Sequence, residues 1–190
     1  MYGKTEDGIA KIPLIEDSRH LVTRSIVETK ESFACTLGNS FVVSSKVLTL
    51  TNTNPHLFLY FKNTSATKVM RIWVVWFGWN GGSTNKDKVL KWGWVIAPNE
   101  PTANHTVAVP GNLNFTSSNP AEALIYKWDG VGDGMTYTGG VIPTEGLYTR
   151  GYNPLVAHGI PIIGQNQSFG MLFAGEEVGD VVVTMRFYYE

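Results

Sequence analysis

Residues 180–190 read DVVVTMRFYYE. Val181, Val183, Met185, Phe187 and Tyr189 fall on one side of an extended chain, and Val182, Thr184, Arg186 and Tyr188 on the other. Successive strand side chains point to opposite faces, so one face is wholly apolar and its opposite is mixed. β-Branched and aromatic residues suit a pleated, half-buried surface. A terminal segment frays unless a sheet holds it. A strand this apolar is therefore expected to be paired inside a sheet, and the chain is expected to be a β-protein.

Similar runs recur upstream, separated by turn residues. They cover residues 23–28, 32–37, 41–51, 57–62, 69–79, 88–96, 106–109, 114–116, 123–128, 156–163 and 168–173. The run 69–79, VMRIWVVWFGW, is apolar on both faces, as a central strand covered on both sides would be. Its alternation places Trp73, Val75, Phe77 and Trp79 together. The run KVLKWGWVI at 88–96 is expected to pair with it through NGGSTNKD, a segment suited to a hairpin loop. Pro161 marks 156–163 as an edge strand or a bulge. No amphipathic helix pattern of useful length is present. About ten to twelve short strands at turn-punctuated spacing predict an all-β domain. The expected form is an antiparallel β-sandwich, with a jelly roll as one arrangement open to it. Residues 21–190 form that single domain. Residues 1–20 are polar, mixed in charge and broken by Gly3, Gly8 and Pro13. They read as an extended N-terminal arm that orders on a neighbouring subunit, with Ile9, Ile12, Leu14 and Ile15 as its contacts.

The 190 residues carry 15 basic and 16 acidic side chains, a net charge of −1 that predicts no nucleic-acid or membrane-surface attraction. Only 16% of residues are charged, against about 25% in ordinary globular domains. Residues 101–121 and 151–175 contain no Asp, Glu, Lys or Arg. Gly, Pro, Asn and Gln break both stretches, so neither reads as a bilayer span. So little charge suits either a surface covered by partner subunits or a neutral β-protein rich in Asn and Thr. No secretory signal is read at the start. The Asn-x-Ser/Thr sites at Asn63, Asn104, Asn114 and Asn166 are read as accidents of composition.

Reaction chemistry is hard to place. His20, His56, His105 and His158 are too far apart for zinc-ligand spacing, and Cys35 is the sole cysteine, read as a small core side chain. There is no G-x-S-x-G nucleophile motif and no phosphate loop. Asp129 and Asp133 in DGVGDG have the chemistry for calcium, but two Asp-Gly turns explain the segment better. No enzyme activity and no cofactor are expected. Five of the six tryptophans fall in the expected hairpin. Trp73 with Trp79, or Trp92 with Trp94, would form an aromatic platform for a sugar ring. Filling a core or a subunit interface is the commoner use of such residues.

Two further segments carry a family resemblance. The opening MYGKTEDGIAKIPLIEDSRHLVTRSIVETKESFACTLG combines a short arm with an L-x-T-R-S-x-x-E-T entry to the first strands, at Leu21, Thr23, Arg24, Ser25, Glu28 and Thr29. GNLNFTSSNPAEALIYKWDGVGDGMT adds Gly111, Asn112, Asn114, Ser117, Ala121 and Glu122, and the aromatic-acidic ending adds a third match. Together they resemble small virion structural proteins of tailed bacteriophages, of the capsid decoration or cement kind. The tryptophan-rich segment departs from that pattern. The resemblance implies a protein of the virion that binds other capsid proteins as a homo-oligomer, such as a trimer, without catalysis. A single-jelly-roll major capsid protein and a carbohydrate-binding or host-recognition module are the alternatives. A sandwich-fold enzyme with a carboxylate pair or a metal is the remaining class.

Overall fold

Alternating sequence becomes extended backbone along most of the chain. The computed structural model describes residues 3–4, 9–15, 21–27, 29–50, 55–81, 89–149, 151–156, 161–175 and 178–190, with side chains at 29–50, 55–79, 90–142, 161–175 and 178–190. The elements run β1 (Gly3–Lys4), β2 (Ile9–Ile15), β3 (Leu21–Val27), α1 (Lys30–Thr36), β4 (Ser40–Ser44), β5 (Leu48–Leu50) and β6 (His56–Asn63). Then follow β7 (Met70–Gly81), β8 (Val89–Pro98), β9 (His105–Val107), β10 (Gly111–Asn112) and β11 (Ala123–Trp128). The chain closes with β12 (Gly139–Thr149), β13 (Gly151–Val156), β14 (Ile162–Ile163), β15 (Ser168–Gly175) and β16 (Gly179–Tyr189).

Eight of these strands pair as the two arms of one long hairpin: β4 with β16, β6 with β15, β7 with β13, and β8 with β12, all antiparallel. Rolling that hairpin up brings β16 against β7 and β15 against β8. The result is two sheets, one ordered β4-β16-β7-β13 and the other β12-β8-β15-β6. This is the connectivity of a jelly roll, a sandwich of two Greek keys. Short strands extend both sheets on one flank: β10 lies outside β4, while β11 and then β9 lie outside β6. β5 pairs with β16 and β14 with β7.

The core is aromatic and crosses between the sheets. Phe187 of β16 stands edge-on to Phe61 of β6 at 6.0 Å, and Phe77 of β7 meets Phe173 of β15 at 5.7 Å. Such pairs add about 0.5–1.5 kcal/mol each beyond the area they bury. Val181, Val183, Met185, Phe187 and Tyr189 all lie in this core, as the alternation of β16 predicts.

Several local expectations give way to the structure. Residues 32–36 of the predicted run 32–37 are helical, and Leu37 is the C-cap. Thr29 caps α1 by accepting the Ser32 N–H at 3.1 Å, and Gly38, at φ +71°, ends it. Gly38 N donates to Cys35 O and Asn39 N to Ala34 O, a Schellman closure. Cys35 is half-buried rather than a core side chain, and Ala34 is the buried residue of α1. The run 69–79 does not pair with 88–96, because β7 and β8 belong to different sheets. The segment between them is a crossover, and the loop itself lies outside the described residues. Residues 114–116 form a turn. β12 and β13 had no counterpart among the predicted runs, since glycines and Pro143 and Pro154 dilute their pattern. Both are outermost strands in the two-sheet order, where proline is tolerated. Pro143 falls at the register shift between Val141 and Thr144. Of the predicted run 156–163, only Val156 and Ile162–Ile163 are in described strands, while 157–160 lie outside the described residues.

The first three strands make a sheet of their own, ordered β1-β2-β3, and none of them pairs with a sandwich strand. Ile9 is opposite Val27, Leu14 opposite Val22, and Ile15 opposite Leu21. Leu21–Val27 thus pairs with β2 rather than with a strand of the sandwich.

Candidate functional surfaces

Of the two uses read for these tryptophans, Trp79 and Trp92 take the commoner one and fill the core. Between Ile72 and Val74 the β7 register slips against β16, where Phe187 faces Ile72 and Arg186 faces Val74. Trp73 is the extra residue of this bulge. The bulge reverses the parity of the strand, so Ile72, Val75, Phe77 and Trp79 all enter the core. Trp79 is 3% exposed. Trp73 is half-buried and meets Tyr188 edge-on at 6.3 Å, on the outer side of the sheet. Trp92 and Trp94 do share a face, opposite Phe173 and Met171 of β15, but that face is the inner one. Their rings contact each other at 5.3 Å, and Trp94 also meets Phe169 at 4.8 Å. Trp76 is half-buried on the outer side, with the Arg186 guanidinium 4.9 Å from its ring.

Two of the cavities that open on the sandwich are lined by described residues. One, of about 210 Å³, is lined by Pro55, Lys91, Trp92, Gly93, Leu172, Phe173 and Ala174. The other, of about 100 Å³, lies between Ile96 and Phe169 of one sheet and Pro161 to Ile163 of the other. Lys91 is the sole titratable residue in either lining. Among the described residues no group of three or more His, Cys, Asp or Glu is placed to hold a metal ion. Titratable groups instead meet on the outer side of β6 and β11. There Tyr126 donates to Glu100 Oε1 at 2.8 Å, meets the His105 ring at a tilt with centroids 4.3 Å apart, and stacks on Tyr60 at 6.0 Å. The Glu100 hydrogen bond raises the Tyr126 phenol above its ordinary value, and burial raises that of Tyr60. Both phenols stay protonated at neutral pH, which suits positioning rather than proton transfer.

The DGVGDG segment is a set of turns. Gly130, Gly132 and Gly134 have φ of +93°, +65° and +91°. Asp129 Oδ1 accepts the Val131 N–H at 2.8 Å, and Trp128 Nε1 donates to Val131 O at 2.8 Å. Asp129 is thereby committed to its own turn, and among the described residues neither Asp129 nor Asp133 belongs to a group of three or more possible metal ligands. The asparagines of the Asn-x-Ser/Thr sites serve the backbone too. Asn63 is fully buried and donates to Lys68 O and Ile163 O, while Asn104 and Asn166 adopt φ of +60° and +56°.

One surface stands out on the flank where β9 and β10 are outermost. Asn112, Asn114 and Asn119 donate side-chain N–H groups to Gly38 O, Thr36 O and Leu37 O. These carbonyls close α1 and would otherwise lack partners. Asn114 Oδ1 also accepts from the Thr116 N–H at 3.1 Å, and Asn112 Oδ1 from the Asn114 N–H at 2.9 Å. The braced loop holds Phe115 outward at 95% exposure, with Val109 at 86%, Val107 at 63% and Leu37 at 53%. The absence of charge across 101–121 is visible in the sequence, but an aromatic in an Asn- and Ser-rich turn has no period to mark Phe115 as exposed.

An ion-pair cluster closes the end of the chain. Glu190 accepts from Lys30 Nζ at 3.0 Å and Arg71 Nε at 2.5 Å, which ties the start of α1 to the end of β16. Ile9, Ile12, Leu14 and Ile15 lie on β2, paired with β3; their side chains lie outside the described residues. No protein-family model matches the chain, and no curated protein matches it.

Proposed function

We propose that this chain is a virion structural protein of a tailed bacteriophage. In this reading it decorates or cements the capsid shell by oligomeric, non-catalytic binding. The observation that carries the reading is a jelly roll accompanied by a separate three-stranded sheet that pairs with none of its strands. Jelly rolls are common in capsid proteins, though lectin domains and cupins share them, so the fold alone does not decide. The outlying sheet adds the discriminating element. Its register sets Ile9 opposite Val27, Leu14 opposite Val22 and Ile15 opposite Leu21. A two- or three-stranded sheet is marginal alone and gains stability by packing against another body. A neighbouring subunit in a shell supplies such a body, and many weak contacts repeated over a lattice then act together. The sequence resemblance of residues 1–38 to phage virion proteins points the same way. The same topology leaves a single-jelly-roll major capsid protein as the second reading.

Co-sedimentation with empty shells tests the proposal. The full chain should pellet with its shells. A variant lacking residues 1–28 should pellet much less while keeping the thermal midpoint of the sandwich. Thr29 is retained because it caps α1. A chain that never pellets with shells overturns the reading; a truncated chain that pellets as well as the full one overturns the role of the arm.

A further inference from the structure

We propose that the outer face of the β4-β16-β7-β13 sheet binds an acidic sugar, with Arg186 taking its carboxylate and Trp73 and Trp76 its ring. This binding function stands apart from the shell contact proposed above. Arg186 is the fixed point of the site. Its guanidinium lies 4.9 Å from the Trp76 ring. Its Nε is enclosed by the protein and has no hydrogen-bond partner among the described residues, which leaves the two Nη groups as the accessible end. The ion pairs among the described residues join Lys30 and Arg71 to Glu190 and Lys68 to Glu122, so none of them neutralises Arg186. A guanidinium drawn partly out of water without a counter-charge is costly to keep. Held flat on an indole, it presents two parallel N–H groups to a planar carboxylate.

The bulge in β7 is the second observation. It turns Trp73 out of the core onto the outer face, beside Val74, the residue opposite Arg186. Bulges re-aim side chains in this way next to functional sites. Trp73 and Trp76 are both half-buried, so each keeps part of its indole open to solvent. Thr184 lies opposite Trp76 on one side and Ser44 on the other, and the two hydroxyls bond each other at 2.9 Å. One face thus offers a cation for a carboxylate, indole surface for the C–H face of a pyranose, and hydroxyls for its hydroxyls.

The same surroundings select the ligand. β16 and β7 are interior strands, paired on both sides. Their backbone groups are committed to the ladders, so a peptide main chain finds no partners on this face. A sugar is recognised through side chains alone. Nucleic acids and anionic membranes bind through several cations at once. Among the described strand residues of this sheet the other cation, Arg71, is held by Glu190.

Isothermal titration calorimetry of the full chain tests this with trigalacturonate, sialyllactose and a hyaluronan fragment. At least one of these acids should bind, and its methyl ester, which lacks the charge, should bind about tenfold more weakly. Arg186→Met keeps an apolar stem over Trp76 and should lose a similar factor with an unchanged thermal midpoint. The ester comparison needs no variant, so it decides the matter even where Arg186→Met is unstable. Failure of all three acids to bind, equal binding of acid and ester, or wild-type-like binding by a folded Arg186→Met chain overturns the proposal. Inorganic phosphate and hexaglutamate are titrated alongside. Either of them binding as tightly as the sugar acid, and losing that affinity in Arg186→Met, overturns the assignment to a sugar.

Discussion

His56 is fully buried, and among the described residues neither of its ring nitrogens has a hydrogen-bond partner. The ring lies 5.0 Å from that of Trp128, under a turn in which Gly134 comes so close that a Cβ would sit 2.9 Å from His56 Cα. Burying a polar group without a partner costs about 1–3 kcal/mol. Replacing it with an apolar ring of similar shape removes that cost. His56→Phe is therefore expected to raise the stability of the sandwich by up to about 1–3 kcal/mol in urea unfolding. A lower midpoint would mean that the imidazole has a partner in solution. The same scale explains why the sequence left open which tryptophans enter the core. One inserted residue at Trp73 reverses every later side chain of β7, because the strand period is two. Nothing local in VMRIWVVWFGW marks the insertion, which is defined only against β16.

Among the elements, α1 and β16 are coupled through Glu190. Burial alone would push the Glu190 carboxyl up, but hydrogen bonds from Lys30 and Arg71 outweigh it and hold the group below the usual carboxylate range. A carboxyl held lower in the folded state stabilises the fold above the unfolded value, near pH 4.3. That contribution is lost as pH falls through the folded value. Lys30 is largely exposed, so solvent screens the interaction and Glu190→Gln should cost less than about 1 kcal/mol at neutral pH. The difference between wild type and variant should shrink toward zero in urea unfolding at pH 3. A constant difference across this range would show that the carboxylate charge contributes nothing. The helix itself was legible in retrospect from Thr29 and Gly38, a cap and a stop that bracket seven helical residues. Alternation in SFACTL outweighed them, since so short a helix has little room to display its own period.

At the scale of the molecule, the rolled hairpin joins residues distant in the chain, with Ser44 opposite Thr184 and Lys62 opposite Ser168. Long-range pairing must close large loops before contacts compensate, so folding should be slow, roughly milliseconds to seconds. Stopped-flow refolding followed by tryptophan fluorescence checks this; complete refolding within about a millisecond would contradict a topology dominated by non-local pairs. The exposed apolar flank and the outlying sheet also belong to this scale. The absence of charge across 101–121 was visible in the sequence. Its assignment to one side of the molecule needed β9 and β10 to be placed outermost.

Residue order by itself determined that this chain is a β-sandwich, where most of its strands lie, and which face of β16 is buried. Those properties follow from alternation within a single segment, where steric rules act between near neighbours. Only the tertiary structure decided that β7 and β8 part into different sheets, that Trp79 and Trp92 enter the core, and that Phe115 is held outward. Strand partners, bulges and exposed flanks depend on contacts between segments far apart in the chain, and no local period encodes which distant strand will supply the other half of a ladder.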